Sequence, residues 1–271
     1  MAPEASITCP VVPIPEIAPE IDALVDRLDM VVAAARDRRH RLGFFAAMYR
    51  QVTLTVRREV EAGSFDDDAR MARFVAMFAG RYLDALALWE AGGRPTRSWR
   101  AAFRAAERRD RVILQHVLLG MNAHINLDLA IVAATISPGD AIVELKSDFG
   151  RINDILQCLM IPLQTCIGGF SPLLHVLWDV GGDRDDEVLN FSIRVARADA
   201  WHQALILARL GGERRAVAVD LLDRKVSVLA RLVADPGGIL ERAVDVVAFL
   251  ESDDVVRIID ALALVEPAPL P

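Results

Sequence analysis

Apolar residues recur along this chain at intervals of three and four, the period of helices that bury one face. The punctuation between these stretches predicts about eight to ten helices. The first begins near Glu20 and reaches the basic cluster Arg36–Arg41. The second covers Leu42 to Ala62, with Phe44, Phe45, Met48, Val52 and Leu54 as a broad apolar face. Gly63-Ser64 ends it, and Phe65-Asp66 opens a third through Trp89. After a Gly92, Gly93, Pro95 loop, Thr96 or Ser98 can cap a short basic helix carrying Trp99 and Phe103.

A central helix is predicted from about Asp110 to Ile136, ending before Ser137-Pro138-Gly139. The next begins near Asp140 and kinks or stops at about Pro162. Ser171-Pro172 suits the start of a short helix that ends at Gly181-Gly182. A long helix follows from Glu187 to Leu210, then two more over about 214–234 and 239–250. Ser252 caps a last one reaching Leu264. No strand pattern, repeat or interdomain linker interrupts the series. The expectation is an all-α, single-domain bundle over residues 20–271, built around a buried central helix, with 1–19 as a loosely ordered leader.

The central helix breaks its own pattern. In Leu118-Leu-Gly-Met-Asn-Ala-His-Ile-Asn-Leu-Asp-Leu-Ala130, two asparagines, a histidine and an aspartate stand among strongly apolar neighbours. A buried polar group without a partner costs about 1–3 kcal/mol, so these four need another polar helix, a metal or a ligand. His124 and Asp128 lie four apart on one face, with His116 two turns earlier; Asn122 and Asn126 form a second stripe pointing away from them. The following helix supplies Asp148 and Asn153, and as an antiparallel neighbour it can bring Asp148 near Asp128.

Other pairs repeat the spacing. His175 and Asp179 are four apart, and Asp199 and His202 three apart. Helical bundles build metal sites from such imidazole and carboxylate pairs. Convergence of two or three pairs would hold zinc, iron or manganese. The competing reading of each pair is a local hydrogen bond on a solvated face, and of the central cluster a buried network that locks helices together. No HExxH, Glu-x-x-His, GxSxG or phosphate-loop motif is present. Asp66-Asp67-Asp68 and Asn153-Asp154 loosely resemble the magnesium motifs of helical terpene cyclases, but their spacing differs. The first group reads as acids at a helix start. Arg97, Arg100, Arg104 and Arg108 read as a solvated basic face. Arg194, and Arg197 with Trp201 one turn on, can pair with Asp128 or Asp148, or hold an anionic substrate.

Composition narrows the classes. The 271 residues are 53% hydrophobic and only 6% aromatic, which favours Ala- and Leu-rich helices over sheets. A net charge of −7 excludes a general nucleic-acid-binding surface. The most apolar stretch, Ile155 to Val180, is interrupted by Gln157, Pro162, Gln164, Gly168, Gly169 and Pro172, so no transmembrane span is expected. Cys9, Cys158 and Cys166 have no zinc-type or disulfide-framework spacing, and with no signal peptide they point to a reducing, cytoplasmic setting. The composition leaves a homo-oligomer open.

Several of these residues also carry a family resemblance. Phe45-Ala-Ala-Met-Tyr49 with Val52-Thr53, Gly63-Ser-Phe-Asp66, Phe78-Ala79 with Tyr82, Gly120-Met-Asn-Ala-His-Ile-Asn-Leu-Asp-Leu129, Asp148-Phe149 with Asn153, and Arg197 with Trp201 resemble an uncharacterised bacterial family of helical proteins known only as a domain of unknown function. The resemblance implies no activity. It implies that Asn122, His124, Asn126, Asp128, Asp148, Asn153 and Arg197 belong to one site.

The resulting functional expectation is a metal-dependent enzyme acting on a small, largely apolar molecule. His124, Asp128 and Asp148 would be catalytic groups or metal ligands, while Asn122, Asn126, Asn153, Arg197 and Trp201 would bind substrate. His116, His175, Asp179, Asp199 and His202 are optional further ligands. Two alternatives stand beside it. One is a metal-free cyclase- or isomerase-like enzyme using His124 for acid–base work. The other is a non-catalytic helical protein that binds an apolar ligand or partner, with the cluster structural.

Overall fold

The computed structural model describes residues 18–174 and 186–268, except for the side chains of 18–20 and 186–192. At its middle runs one helix of 24 residues, Ile113–Ile136, here α5. Before it come α1 (Ala18–Asp37), α2 (Leu42–Glu61), α3 (Asp68–Glu90) and α4 (Arg97–Ala106). After it come α6 (Lys146–Gly168), α7 (Asp186–Ala208), α8 (Gly212–Ala234), α9 (Gly238–Leu250) and α10 (Val255–Leu262). These ten α-helices, with no strand among the described residues, make an all-α bundle.

The first half of α5 packs against α2, α4 and α8, and its second half against α3 and α7. Leu119, Leu127, Leu129, Ala130, Val132 and Ala133 are consequently shut off from solvent. By length and composition α5 could cross a membrane, but 83% of its most apolar window is buried inside the bundle. Its hydropathy is therefore that of a core helix with neighbours on every side. Close approach of α2 and α5 depends on Gly120, where a Cβ would lie 2.3 Å from Cδ2 of Phe45.

Caps arrive from far along the chain. Asp223 of α8 accepts from the backbone N–H groups of Arg97 and Ser98, at 2.8 and 3.0 Å, and from the Ser98 hydroxyl at 2.9 Å. It thus does for α4 what the sequence assigns to Thr96 or Ser98. Glu251 accepts from Ile113 N–H at 2.8 Å at the start of α5. The reading of Asp66–Asp68 as helix-start acids holds. Asp67 accepts from Arg70 N–H at 2.8 Å, and Asp68 from Phe65 N–H at 3.2 Å.

Two boundaries differ from expectation. The segment Gly139–Leu145 is a 3-10 turn, so α6 starts only at Lys146. It then runs through Pro162 to Gly168 without stopping. Proline cannot donate to the carbonyl four residues back, here that of Cys158. The N–H of Ala268 takes that place at 2.8 Å, so the C-terminal tail is fastened to the bond α6 lacks. The short helix expected from Ser171 begins with a turn in which Leu174 N–H bonds the Ser171 carbonyl at 3.0 Å. Its remainder lies outside the described residues, as do His175, Asp179 and nearly all of the 1–19 leader.

Candidate functional site

Within α5, residues His124–Asp128 form a π turn, in which Leu129 N–H bonds the carbonyl of His124 five residues back. Such turns are less stable than the α-helix around them and recur at functional sites. This one sets His124 and Asp128 side by side, with Nδ1 of the imidazole 3.3 Å from Oδ2 of the carboxylate. Asp128 is fully buried. Its Oδ1 accepts from Arg81 Nε of α3 at 2.6 Å, and its Oδ2 accepts from Trp99 Nε1 of α4 at 2.8 Å. Three helices therefore converge on one carboxylate, and the ion pair with Arg81 supplies its counter-charge.

His124 lies inside an aromatic box. The Phe78 ring stacks on it at 3.6 Å and 10°, while Tyr49 stands edge-on at 4.5 Å and 82°. Phe45, Trp99 and Tyr82 complete the walls with centroids 5.9–6.5 Å away. Burial pushes the imidazole below its ordinary pKa; Asp128 opposes that shift, and the Arg81 cation adds to it. A neutral ring donating its Nδ1 proton to Asp128 keeps a lone pair on Nε2. That Nε2 is buried and has no partner among the described residues, and neither has the Tyr82 hydroxyl. On the α3 side the ring is covered by Phe78, which is half-buried, as is Arg81 one turn on. Behind Phe45, Tyr82 and Trp99 lies a cavity of about 20 Å³, also lined by His116 and Gly120. That is room for one water molecule.

The other expected residues form separate clusters. Asp148, also fully buried, accepts from Asp66 N–H at 2.6 Å and Arg70 Nη2 at 2.7 Å. Arg70 and Arg81 are eleven residues apart on α3, a rise of about 16 Å, so Asp148 ties down the first turn of that helix and Asp128 its middle. Asn153 accepts from Arg197 Nε. The same guanidinium donates to the Phe149 carbonyl at 2.9 Å and sits 4.5 Å from the Phe149 ring centroid. Trp201 packs against the same ring at 4.9 Å, and burial pushes Arg197 down to about 9.

Asn126 donates to Asn122 at 3.0 Å, and Asn122 donates to the Val226 carbonyl of α8 at 3.1 Å, away from His124. Asp199 pairs with Lys225 at 2.7 Å, while His202 bonds the Ala198 carbonyl on an exposed face, so these two do not act as a pair. His116 packs on Phe44, and burial lowers it to about 3, against a weak pull from the Arg111 backbone. Among the described residues no three His, Cys, Asp or Glu side chains are placed to hold a metal ion. The metal expectation therefore finds no ligand set there.

Sequence reasoning does not connect Arg81 or Trp99 with Asp128. A signal was present: Phe45, Tyr49, Phe78 and Tyr82 all belong to the motifs that carry the family resemblance, and Arg81 stands between the last two.

No curated protein and no solved structure matches the chain. A family of unknown function, DUF5995, matches residues 21–236, a span that contains the π turn, the aromatic box and every residue bonded to Asp128. The chain belongs to the DUF5995 family of unknown function.

Proposed function

We propose that His124 and Asp128 form a metal-free acid–base dyad, working on a small, largely apolar molecule admitted to the aromatic box. The observation that carries this reading is the unpartnered Nε2 of a fully enclosed imidazole whose other nitrogen is held by a carboxylate. Leaving that acceptor unmet costs about 1–3 kcal/mol. Asp128 fixes the tautomer, and Arg81 and Trp99 fix Asp128. Nε2 is then the atom that takes a proton from a bound molecule, and the resulting imidazolium is stabilised by Asp128. The Tyr82 hydroxyl, without a partner among the described residues, is a second proton donor for a developing anion. Entry requires Phe78 to turn away from the imidazole face.

One observation favours a second reading, a structural lock: Asp128 joins three helices through strong bonds. Acylation with diethyl pyrocarbonate, mapped by mass spectrometry, separates the two. An acid–base site reacts at His124, is protected by a small apolar alcohol such as cyclohexanol, and reacts more slowly in Asp128→Asn. Full inertness of His124 in the native protein, with His202 modified as an internal control, would overturn the proposal in favour of the lock.

A further inference from the structure

Between α4 and α8, on the side of α4 away from the aromatic box, lies a groove of about 400 Å³. Its walls carry six arginines: Arg97, Arg100, Arg104, Arg108, Arg111 and Arg231. Its floor is made by Ala101, Ala105, Ala230 and Ala234, whose small side chains leave room for an occupant between the two helices. The ion pairs of the described residues account for only half of these guanidiniums. Arg97 pairs with Asp220 and Asp223, Arg108 with Asp110, and Arg111 with Asp110 and Asp235. Arg100, Arg104 and Arg231 have no carboxylate within ion-pair distance among the described residues. Two further donors are buried without a partner: Nε of Arg100, and Nε of Arg111, a residue only 7% exposed.

The arrangement is costly for the free protein. Arg100 and Arg104 stand four apart on α4, where like charges repel, and Arg108 follows just beyond its end. In a chain of net charge −7, this concentration of positive charge is also where an anion is drawn. Guanidiniums on both walls suit a ligand with several anionic groups. Each guanidinium brings five N–H donors in a planar fork that matches phosphate oxygens. A phosphoryl group answers with three strong acceptors and up to two charges, more than a carboxylate supplies.

We propose that this groove binds a small molecule carrying several phosphoryl groups, held chiefly by Arg100, Arg104, Arg111 and Arg231. The site is independent of the His124–Asp128 dyad, so either can fail alone. The solvated basic face expected of Arg97, Arg100, Arg104 and Arg108 thus becomes one wall of a binding site.

The test uses inorganic triphosphate as probe, with calorimetric titration and thermal melting of the full chain, beside the double variant Arg104→Gln, Arg231→Gln. Triphosphate should bind the native protein and raise its Tm by several degrees, and the double variant should bind at least tenfold more weakly. Both replaced residues are solvent-exposed, and the change relieves repulsion along α4, so the variant alone should melt no lower than the parent. Equal shifts in parent and variant, or the same shift from sodium chloride at matched ionic strength, would mean an adventitious ion only and overturn the site. Citrate binding as tightly as triphosphate would overturn its phosphoryl specificity.

Discussion

Arg81 and Asp128 are joined across the α3–α5 interface by a 2.6 Å contact on Oδ1, the oxygen that neither Trp99 nor His124 uses. The pair therefore supports the dyad without competing with it. Removing one partner of a buried pair leaves an uncompensated charge, a loss of about 3–5 kcal/mol when both are enclosed. Arg81 is 30% exposed, so Arg81→Ala should cost somewhat less, about 2–3 kcal/mol. Because the Arg81 cation lowers the His124 pKa, the same variant should titrate at higher pH at that ring, read by NMR. An unchanged titration would mean that Arg81 does not act on the imidazole.

Asp148 gives a contrasting case. Arg70→Ala strips a fully buried carboxylate of its cation and should lower stability by about 3 kcal/mol in denaturant unfolding. The His124 ring signals should stay in place, since the two clusters are about 16 Å apart along α3. A shift in His124 would argue for one continuous site.

Gly120→Ala tests the α2–α5 contact. Alanine is worth up to about 1 kcal/mol over glycine in a helix interior, yet here its methyl meets the Phe45 ring at 2.3 Å. Displacing a wall of the box should dominate, with a net loss of about 1–3 kcal/mol in thermal or denaturant melts. Gly80, with open space around its missing Cβ, is the control that should gain stability.

The buried histidines set an acid limit. His116 falls to about 3 and His124 is lowered, both chiefly by burial, against an unfolded value of 6.5. Between those values the unfolded chain binds the proton and the folded chain does not. The contribution of these two histidines to stability is therefore full above about pH 6.5 and drains away as pH falls toward 3. His116→Leu should flatten that slope by an amount approaching about 4 kcal/mol over the window, measured by denaturant unfolding at a series of pH values. A slope unchanged from the parent would mean that His116 can take up its proton without unfolding.

The tail attachment is tested by Ala268→Pro, which deletes the N–H that reaches the Cys158 carbonyl. The expected loss is about 1 kcal/mol. None should appear when Pro162→Ala is present, because that change restores a backbone N–H within α6 that can reach the same carbonyl. Additive losses in the double variant would disprove this exchange of partners.

Helix number, length and order were legible because each depends on residues close in sequence. The apolar period marks α2, α5 and α8, and glycine or proline marks their ends. The polar run in α5 likewise announced that something is held there. What could not be read was who holds it. Trp99 reaches Asp128 from 29 positions away, Asp223 caps α4 from 125, and Glu251 reaches α5 from 138. No local spacing encodes such meetings; they follow from the packing of whole helices. The expected union of Asp148 with Asp128 failed for the same reason. Both aspartates face α3, but at levels that only the interhelical fit determines.

The π turn gives α5 a reading frame. One residue more than an α-turn needs is stored between His124 and Asp128, and about 100° of rotation goes with it. Tightening this turn to an ordinary α-turn with all its residues kept would rotate the whole stretch Leu129–Ile136 by about 100°, swinging buried Ala130, Val132 and Ala133 out of their contacts. The geometry that sets an imidazole beside its carboxylate is thus the same one that keeps the far half of the core in phase, so a change to an ordinary helix would be opposed by folding itself.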